Sequence, residues 1–164
     1  MTKLTNKITV ITGGSGAIGS TTAKLFLAEG AKVVLVDINE SALSKVASEL
    51  NSPNVSFVAA DVTKTSDVQK YVQHTVNTFG KIDVFFNNAG IEGVVVPLTE
   101  YPEDAFDKLI NVNVKGVWMG LKYVLPQMND GGSIINTSSV AGLMGTANMI
   151  AYTASKHAVI GIPR

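Results

Sequence analysis

A chain of 164 residues with 46% hydrophobic and 16% charged side chains has the make-up of one folded domain, able to bury roughly two thirds of the surface its unfolded form exposes. The formal net charge is zero, which argues against a nucleic-acid footprint, and the lack of cysteine excludes disulfides and thiolate metal sites. No apolar run of roughly 18 residues occurs, and the start, MTKLTNK, has no signal-peptide core, so a cytoplasmic protein is expected. His74 and His157 are too distant in sequence to suggest a shared metal, and no metal is expected.

Short β-rich apolar runs alternate with longer helical stretches, which predicts an α/β fold: a doubly wound parallel sheet covered on both faces. Ile8–Ile11 reads as the first strand, followed by a helix from about Ala17 to Glu29 that Gly30 stops. Val33–Val36 is the second strand, and Asn39 is a plausible cap for a helix ending near Leu50. Val55–Ala59 is the third strand, with a helix from about Ser66 to Phe79 stopped by Gly80. Ile82–Phe86 is the fourth strand, and Pro102 suits the first turn of a long helix reaching about Met128. Ser133–Thr137 is the fifth strand, and a last helix begins near Ile150. The usual dinucleotide-binding sheet has six strands. Residues 1–164 are therefore expected to be a single domain truncated after the fifth strand and last helix, a fragment rather than a naturally short protein.

The first chemistry-bearing segment, Val10 to Gly19, runs from a strand into a helix. Gly13 permits the sharp turn, Ser15 and Gly16 let backbone and hydroxyl approach a pyrophosphate, and Gly19, after Ile18, allows close helix–strand packing. The helix start adds free N–H groups and partial positive charge for phosphates. Asp37, ending the second strand, fits a carboxylate that accepts from both ribose hydroxyls of NAD and repels the 2′-phosphate of NADP; the alternative is a strand-end or capping aspartate. Asp61-Val62 and Asn87-Asn88-Ala89-Gly90 follow the third and fourth strands, at the sheet edge where open α/β folds bind ligands. There Asp61 can accept from an adenine amino group, and Ala89 and Gly90 let backbone approach a cofactor.

Tyr152 and Lys156 stand at i and i+4, on one helix face. A cation about 5 Å from a phenol, at an effective dielectric of roughly 20, favours phenolate by on the order of 3 kcal/mol. That would bring a tyrosine towards working range as a proton donor and acceptor.

The turn at 12–19, Asn87 to Gly90, Asn113-Val114-Lys115-Gly116, Ser138-Ser139 and Tyr152-x-x-x-Lys156 stand in the order seen in the short-chain dehydrogenase/reductase family, which this chain resembles over essentially its whole length. Ala17 replaces a frequent glycine, and the family's later strand and substrate loop do not appear. The resemblance implies a Rossmann fold and a hydride exchanged between NAD and a secondary alcohol or ketone. It implies catalytic roles for Asn113, Ser139, Tyr152 and Lys156, choosing Ser139 over Ser138 by its distance from the tyrosine. Ser139 and Tyr152 would hold the substrate oxygen, Lys156 the nicotinamide ribose with Tyr152 beside it, and Asn113 a water in a proton relay.

Val94, Val95, Leu143, Met144 and Met149 suggest an apolar pocket for a cyclic or hydrophobic substrate, though core packing explains them nearly as well. Gly116 and Gly120, with Ala151, Ser155 and Ala158, suggest a helical interface in a homodimer or homotetramer; packing on the sheet is the alternative. Two rival functions remain: an NADPH-dependent 3-oxoacyl thioester reductase, and a catalytically silent dinucleotide-binding or dimerisation fragment; weak or absent turnover is expected from these 164 residues alone.

Overall fold

The computed structural model describes residues 2–162; Pro163 and Arg164, at the expected end of the last helix, lie outside them. Strands β1 (Ile8–Thr12), β2 (Lys32–Asp37), β3 (Val55–Ala59), β4 (Ile82–Asn87) and β5 (Met128–Asn136) form one parallel sheet in the order β3-β2-β1-β4-β5. This is the strand order of a doubly wound fold through its fifth strand. Helices α1 (Ala17–Ala28), α2 (Glu40–Leu50), α3 (Thr65–Thr78), α4 (Glu103–Ile110), α5 (Gly116–Val124) and α6 (Ile150–Gly161) supply the covering layers.

Side chains of successive strand residues point to opposite faces, so each apolar strand feeds two cores. Val10, Val34, Val36 and Phe85 pack with Tyr71 and Val72 of α3 and Val117 and Leu121 of α5. Ile11, Val33, Leu35 and Phe86 pack with Ala23 of α1 and Leu43 of α2. The Asn39 side chain accepts from the Ala42 N–H, capping α2 as expected, and Gly30 and Gly80 follow α1 and α3 with φ of 88° and 109°. No helix among the described residues is long and apolar enough to cross a membrane.

Three expectations need correction. The long helix ends at Val124 rather than near Met128, because Pro126 has no N–H to continue the ladder; residues Leu125–Gln127 tighten into a 3₁₀ turn and Met128 pairs with Ile82. The fifth strand starts at Met128, not Ser133, because residues 129–132 bulge out opposite Asp83 before Ser133 pairs with Val84. Gly116 and Gly120 do not face outward as a helical interface. A Cβ at Gly116 would meet Val62 and one at Gly120 would meet Phe85, both at 2.9 Å, so these glycines seat the helix on this chain's own β4 and the segment after β3. Ala151 and Ser155 are likewise buried within the chain.

Tyr71 is fully buried, and its phenol oxygen finds no partner among the described residues, so burial pushes its ionisation far above the usual range. Removing an unpaired buried hydroxyl relieves a desolvation cost. Tyr71→Phe is therefore expected to leave stability unchanged or raise it by up to about 1 kcal/mol in denaturant unfolding. A clear loss of stability would contradict this.

Candidate active site

The top edge of the sheet gathers the ends of β1, β2, β3 and β4. Thr12 ends β1, and its Oγ1 accepts the N–H groups of Asn88 (2.9 Å) and Ala89 (3.0 Å), which pins the segment after β4 to the glycine turn. Asn88 donates from Nδ2 to the Thr12 carbonyl at 3.1 Å. Gly13 has φ +67°, and a Cβ there would press on the Ala89 backbone at 3.1 Å. Behind the turn, a Cβ on Gly19 would run into the Gly13 carbonyl. Helix α1 then begins at Gly16 with no side-chain cap and no acidic residue in its first turn, so its leading N–H groups stay available to an anion.

Asp37 leans towards this turn: its Oδ2 accepts from the Ser15 N–H at 3.1 Å and from the Ser15 hydroxyl at 2.7 Å. Its Oδ1 accepts from the Asn39 N–H at 3.3 Å. Asp61 is held by a local net in which its Oδ1 accepts from the Thr63 N–H (2.9 Å) and hydroxyl (2.7 Å), while its own N–H donates to Asp67 at 2.9 Å. That backbone bond holds the Asp67 carboxyl below the usual carboxylate range.

Helix α4 runs into α5 through a π-helical segment, Asn111–Lys115, and such segments gather at functional sites. Asn113 lies in it, 1% exposed. Its Oδ1 accepts from the Ile91 N–H at 2.8 Å, and its Nδ2 donates to the Ile91 carbonyl (2.8 Å) and the Ser155 hydroxyl (3.1 Å). Both amide hydrogens are thereby engaged, so the side chain staples the helix to the loop after β4 and to α6. Ser155 in turn donates to the Tyr152 carbonyl at 2.7 Å.

Lys156 is 5% exposed, and its Nζ donates to the Thr137 carbonyl at 2.9 Å and lies 5.5 Å from the Tyr152 ring centroid. Burial lowers its pKa from the ordinary lysine value. The Thr137 hydroxyl donates to Asn88 Oδ1 at 3.0 Å, so a chain of hydrogen bonds links the glycine turn, through Asn88 and Thr137, to the Lys156 ammonium. A Cβ at Gly90 would stand 3.2 Å from Asn113 Oδ1 and 3.6 Å from Lys156 Nζ, so the chain passes that point with a bare backbone. The two serines differ. Ser138 donates its hydroxyl to the Lys156 carbonyl at 2.9 Å, whereas Ser139 only accepts, from the Ala141 N–H at 3.2 Å, and keeps its proton to give.

These residues border a two-part cleft. One part, about 590 Å³, is lined by Gly13, Ser15, Gly16, Ile18, Asp37, Asn88, Gly90, Tyr152 and Lys156. The other, about 320 Å³, is lined by Gly13, Asp37, Asp61, Val62, Ala89, Gly90 and Ile91, so the two share Gly13, Asp37, Gly90 and Ile91. Gly19, Asn113 and Ser139 lie outside both linings; Ser139 caps the short 3₁₀ turn Val140–Gly142. Ile38, Ala60, Ile91, Lys108 and Val112 in the smaller part, and Ile91 and Thr137 in the larger, were not anticipated from sequence. Val112 adjoins the expected Asn113, and Lys108 stands one helical turn before it, which is the signal that was available. His74, far from the cleft on α3, pairs through Nε2 with the Ser56 hydroxyl at 2.7 Å, and no group of three or more metal-ligating side chains occurs among the described residues.

A dinucleotide cofactor meets a fitting surface here. The turn sets three glycines around Ser15, the helix start has no side-chain cap to compete with a phosphate, and two carboxylates, Asp37 and Asp61, line the cleft. The family model described as short chain dehydrogenase matches residues 7–164. Levodione reductase of Leifsonia aquatica is 41% identical over 169 aligned residues, covering 99% of this chain and 63% of that protein. A crystal structure of levodione reductase superposes with a TM-score of 0.95 at 39% identity, covering 99% of this chain and 65% of the other. Momilactone A synthase of Oryza sativa subsp. japonica is 41% identical over 97% of this chain and 59% of its own length. The crystal structure of NAD+-bound xylitol dehydrogenase matches with a TM-score of 0.94 at 38% identity, over 98% of this chain and 63% of that one. The chain thus spans about three fifths of the relatives it matches. With the family model matched over nearly all of its residues, the chain belongs to the short-chain dehydrogenase family of oxidoreductases.

Proposed function

We propose that this protein is an NAD-dependent oxidoreductase that interconverts a secondary alcohol and its ketone. The observation that carries the reading is the placement of Tyr152 and Lys156 in the same cleft as the glycine turn and Asp37. When bound, NAD supplies the hydride acceptor for oxidation, and its reduced form the donor for reduction. The chain handles the proton. In oxidation, Tyr152 takes the hydroxyl proton as the carbinol C–H bond breaks; in reduction it gives a proton to the forming alkoxide. Ser139, with its hydroxyl hydrogen uncommitted, donates to the same substrate oxygen and stabilises the charge that develops there. Lys156 keeps a positive charge beside the phenol and offers an N–H to the nicotinamide ribose. Asn113 fixes the segment after β4 and the start of α6 relative to one another, so the roles expected of it are carried through position.

Val94, Val95, Leu143 and Met144 stand exposed after β4 and β5, which supports an apolar, cyclic substrate. The kinship with a levodione reductase and a xylitol dehydrogenase supports the alcohol–ketone class. Assembly as a homodimer or tetramer fits the family, with the exposed Trp118 and Leu125 of the α5 region as the apolar face available for it.

The preference for NAD rests on Asp37. A carboxylate oriented by Ser15 accepts from ribose hydroxyls and opposes a 2′-phosphate. Fluorescence titration is expected to show NADH binding at least about tenfold tighter than NADPH. Asp37→Ser should shrink that ratio. Equal or tighter binding of NADPH by the unaltered protein would overturn the preference and favour the thioester-reductase reading.

A further inference from the structure

We propose that Lys108 is the cofactor-gripping cation at the adenosine end of the cleft. The proposal rests on the dinucleotide reading and deepens it by assigning a residue outside the family motifs. Lys108 lines the smaller cavity together with Asp37 and Asp61, and it is the sole cationic side chain in that lining among the described residues. It forms no ion pair there, whereas Lys64 already lies 3.8 Å from Asp61. Lys108 and Val112 stand four residues apart and both line the cavity, with Lys108 exposed, so the lysine stem can cover apolar surface beside Val112 while its ammonium stays in water. Ile38, in the same lining, is left 71% exposed, an apolar side chain open to a ligand.

A flat, apolar-faced base fits between Ile38 and the Lys108–Val112 wall. The ammonium then lies against the π-face of the purine and close to an anionic ligand. Without it, this half of the cleft would present two carboxylates and no cation to a ligand that carries a pyrophosphate. A cation over an aromatic face at an exposed site strengthens binding by roughly twofold to fivefold. Reversing the charge adds repulsion that salt screens.

The test uses NADH, ADP-ribose and reduced nicotinamide mononucleotide as probes against the unaltered protein, Lys108→Met, Lys108→Arg and Lys108→Glu. Lys108 is exposed, so all three variants should melt like the parent. Lys108→Met is expected to weaken NADH and ADP-ribose about threefold, and Lys108→Glu about tenfold, with the Glu effect shrinking at high salt. Lys108→Arg should bind as the parent does. The mononucleotide, which lacks the adenosine half, should bind all four proteins alike. Unchanged ADP-ribose affinity in Lys108→Glu would overturn the proposal, leaving Lys108 a solvated charge. An equal loss for the mononucleotide would overturn it too, by showing a general disturbance of the cleft. If the unaltered protein bound neither NADH nor ADP-ribose, the dinucleotide reading itself would fall, and Lys108 with it.

Discussion

Tyr152→Phe is expected to lower kcat by about a thousandfold or more while leaving NADH affinity within about twofold. The phenol oxygen is the group proposed to exchange a proton with substrate, and phenylalanine removes that oxygen alone. The ring would still occupy its place 5.5 Å from the Lys156 ammonium, and Lys156 would still be anchored on the Thr137 carbonyl. The glycine turn, the start of α1 and Asp37 do not depend on the hydroxyl, so the binding surface should survive. The comparison of turnover with NADH titration therefore separates chemistry from binding. A variant that lost both together would point to a structural role for Tyr152, and one that lost neither would remove it from the mechanism.

Gly19→Ala should have the largest effect on the folded state. The new methyl would be driven into the Gly13 carbonyl and would stand 2.9 Å from Gly14 Cα, and both neighbours are backbone. Neither can swing aside as a flexible side chain would, so the turn must open or α1 must shift. Overpacking of this kind is expected to cost about 3 kcal/mol and to abolish measurable dinucleotide binding. Gly16→Ala provides the control. Its Cβ would lie 3.4 Å from the Gly13 carbonyl oxygen, an ordinary contact, and its φ of −73° suits any residue. That variant should melt within a degree or two of the parent, yet bind NADH more weakly, because the methyl stands at the helix start where a phosphate would sit. Thermal unfolding followed by circular dichroism, paired with the titration, reads both quantities.

The parts of this molecule governed by neighbouring residues were legible from the sequence. Alternation of strand and helix, the Asn39 cap and the glycine stops after α1 and α3 are set within a few residues, and each stands where expected. So does the clustering of Gly13, Ser15, Gly16, Asp37, Asn88, Gly90, Tyr152 and Lys156 along one sheet edge, since parallel strands with right-handed crossovers bring their carboxyl ends together. What escaped depends on contacts across the fold. The direction in which Gly116 and Gly120 face is decided by Val62 and Phe85, which are distant in sequence. The engagement of Asn113 with Ile91 and Ser155 requires a π-helical segment that no local pattern announced. The early end of α5 was available in principle, because Pro126 cannot donate, but the bulge opposite Asp83 follows from pairing with β4. Lys108 looks like a solvated helix charge until the cavity beside Asp61 is seen.

The central claim is a hydride passing between substrate carbon and nicotinamide next to Tyr152, and isotope tracing addresses it directly. The whole protein, with any residues beyond Arg164, would be incubated with NAD and cyclic secondary alcohols carrying deuterium on the carbinol carbon, and the recovered NADH analysed by mass spectrometry. Deuterium should appear in NADH with at least one alcohol, and should fall to background in Tyr152→Phe. Label that never reaches NADH although NAD binds, or that arrives equally fast without the phenol, would contradict the account.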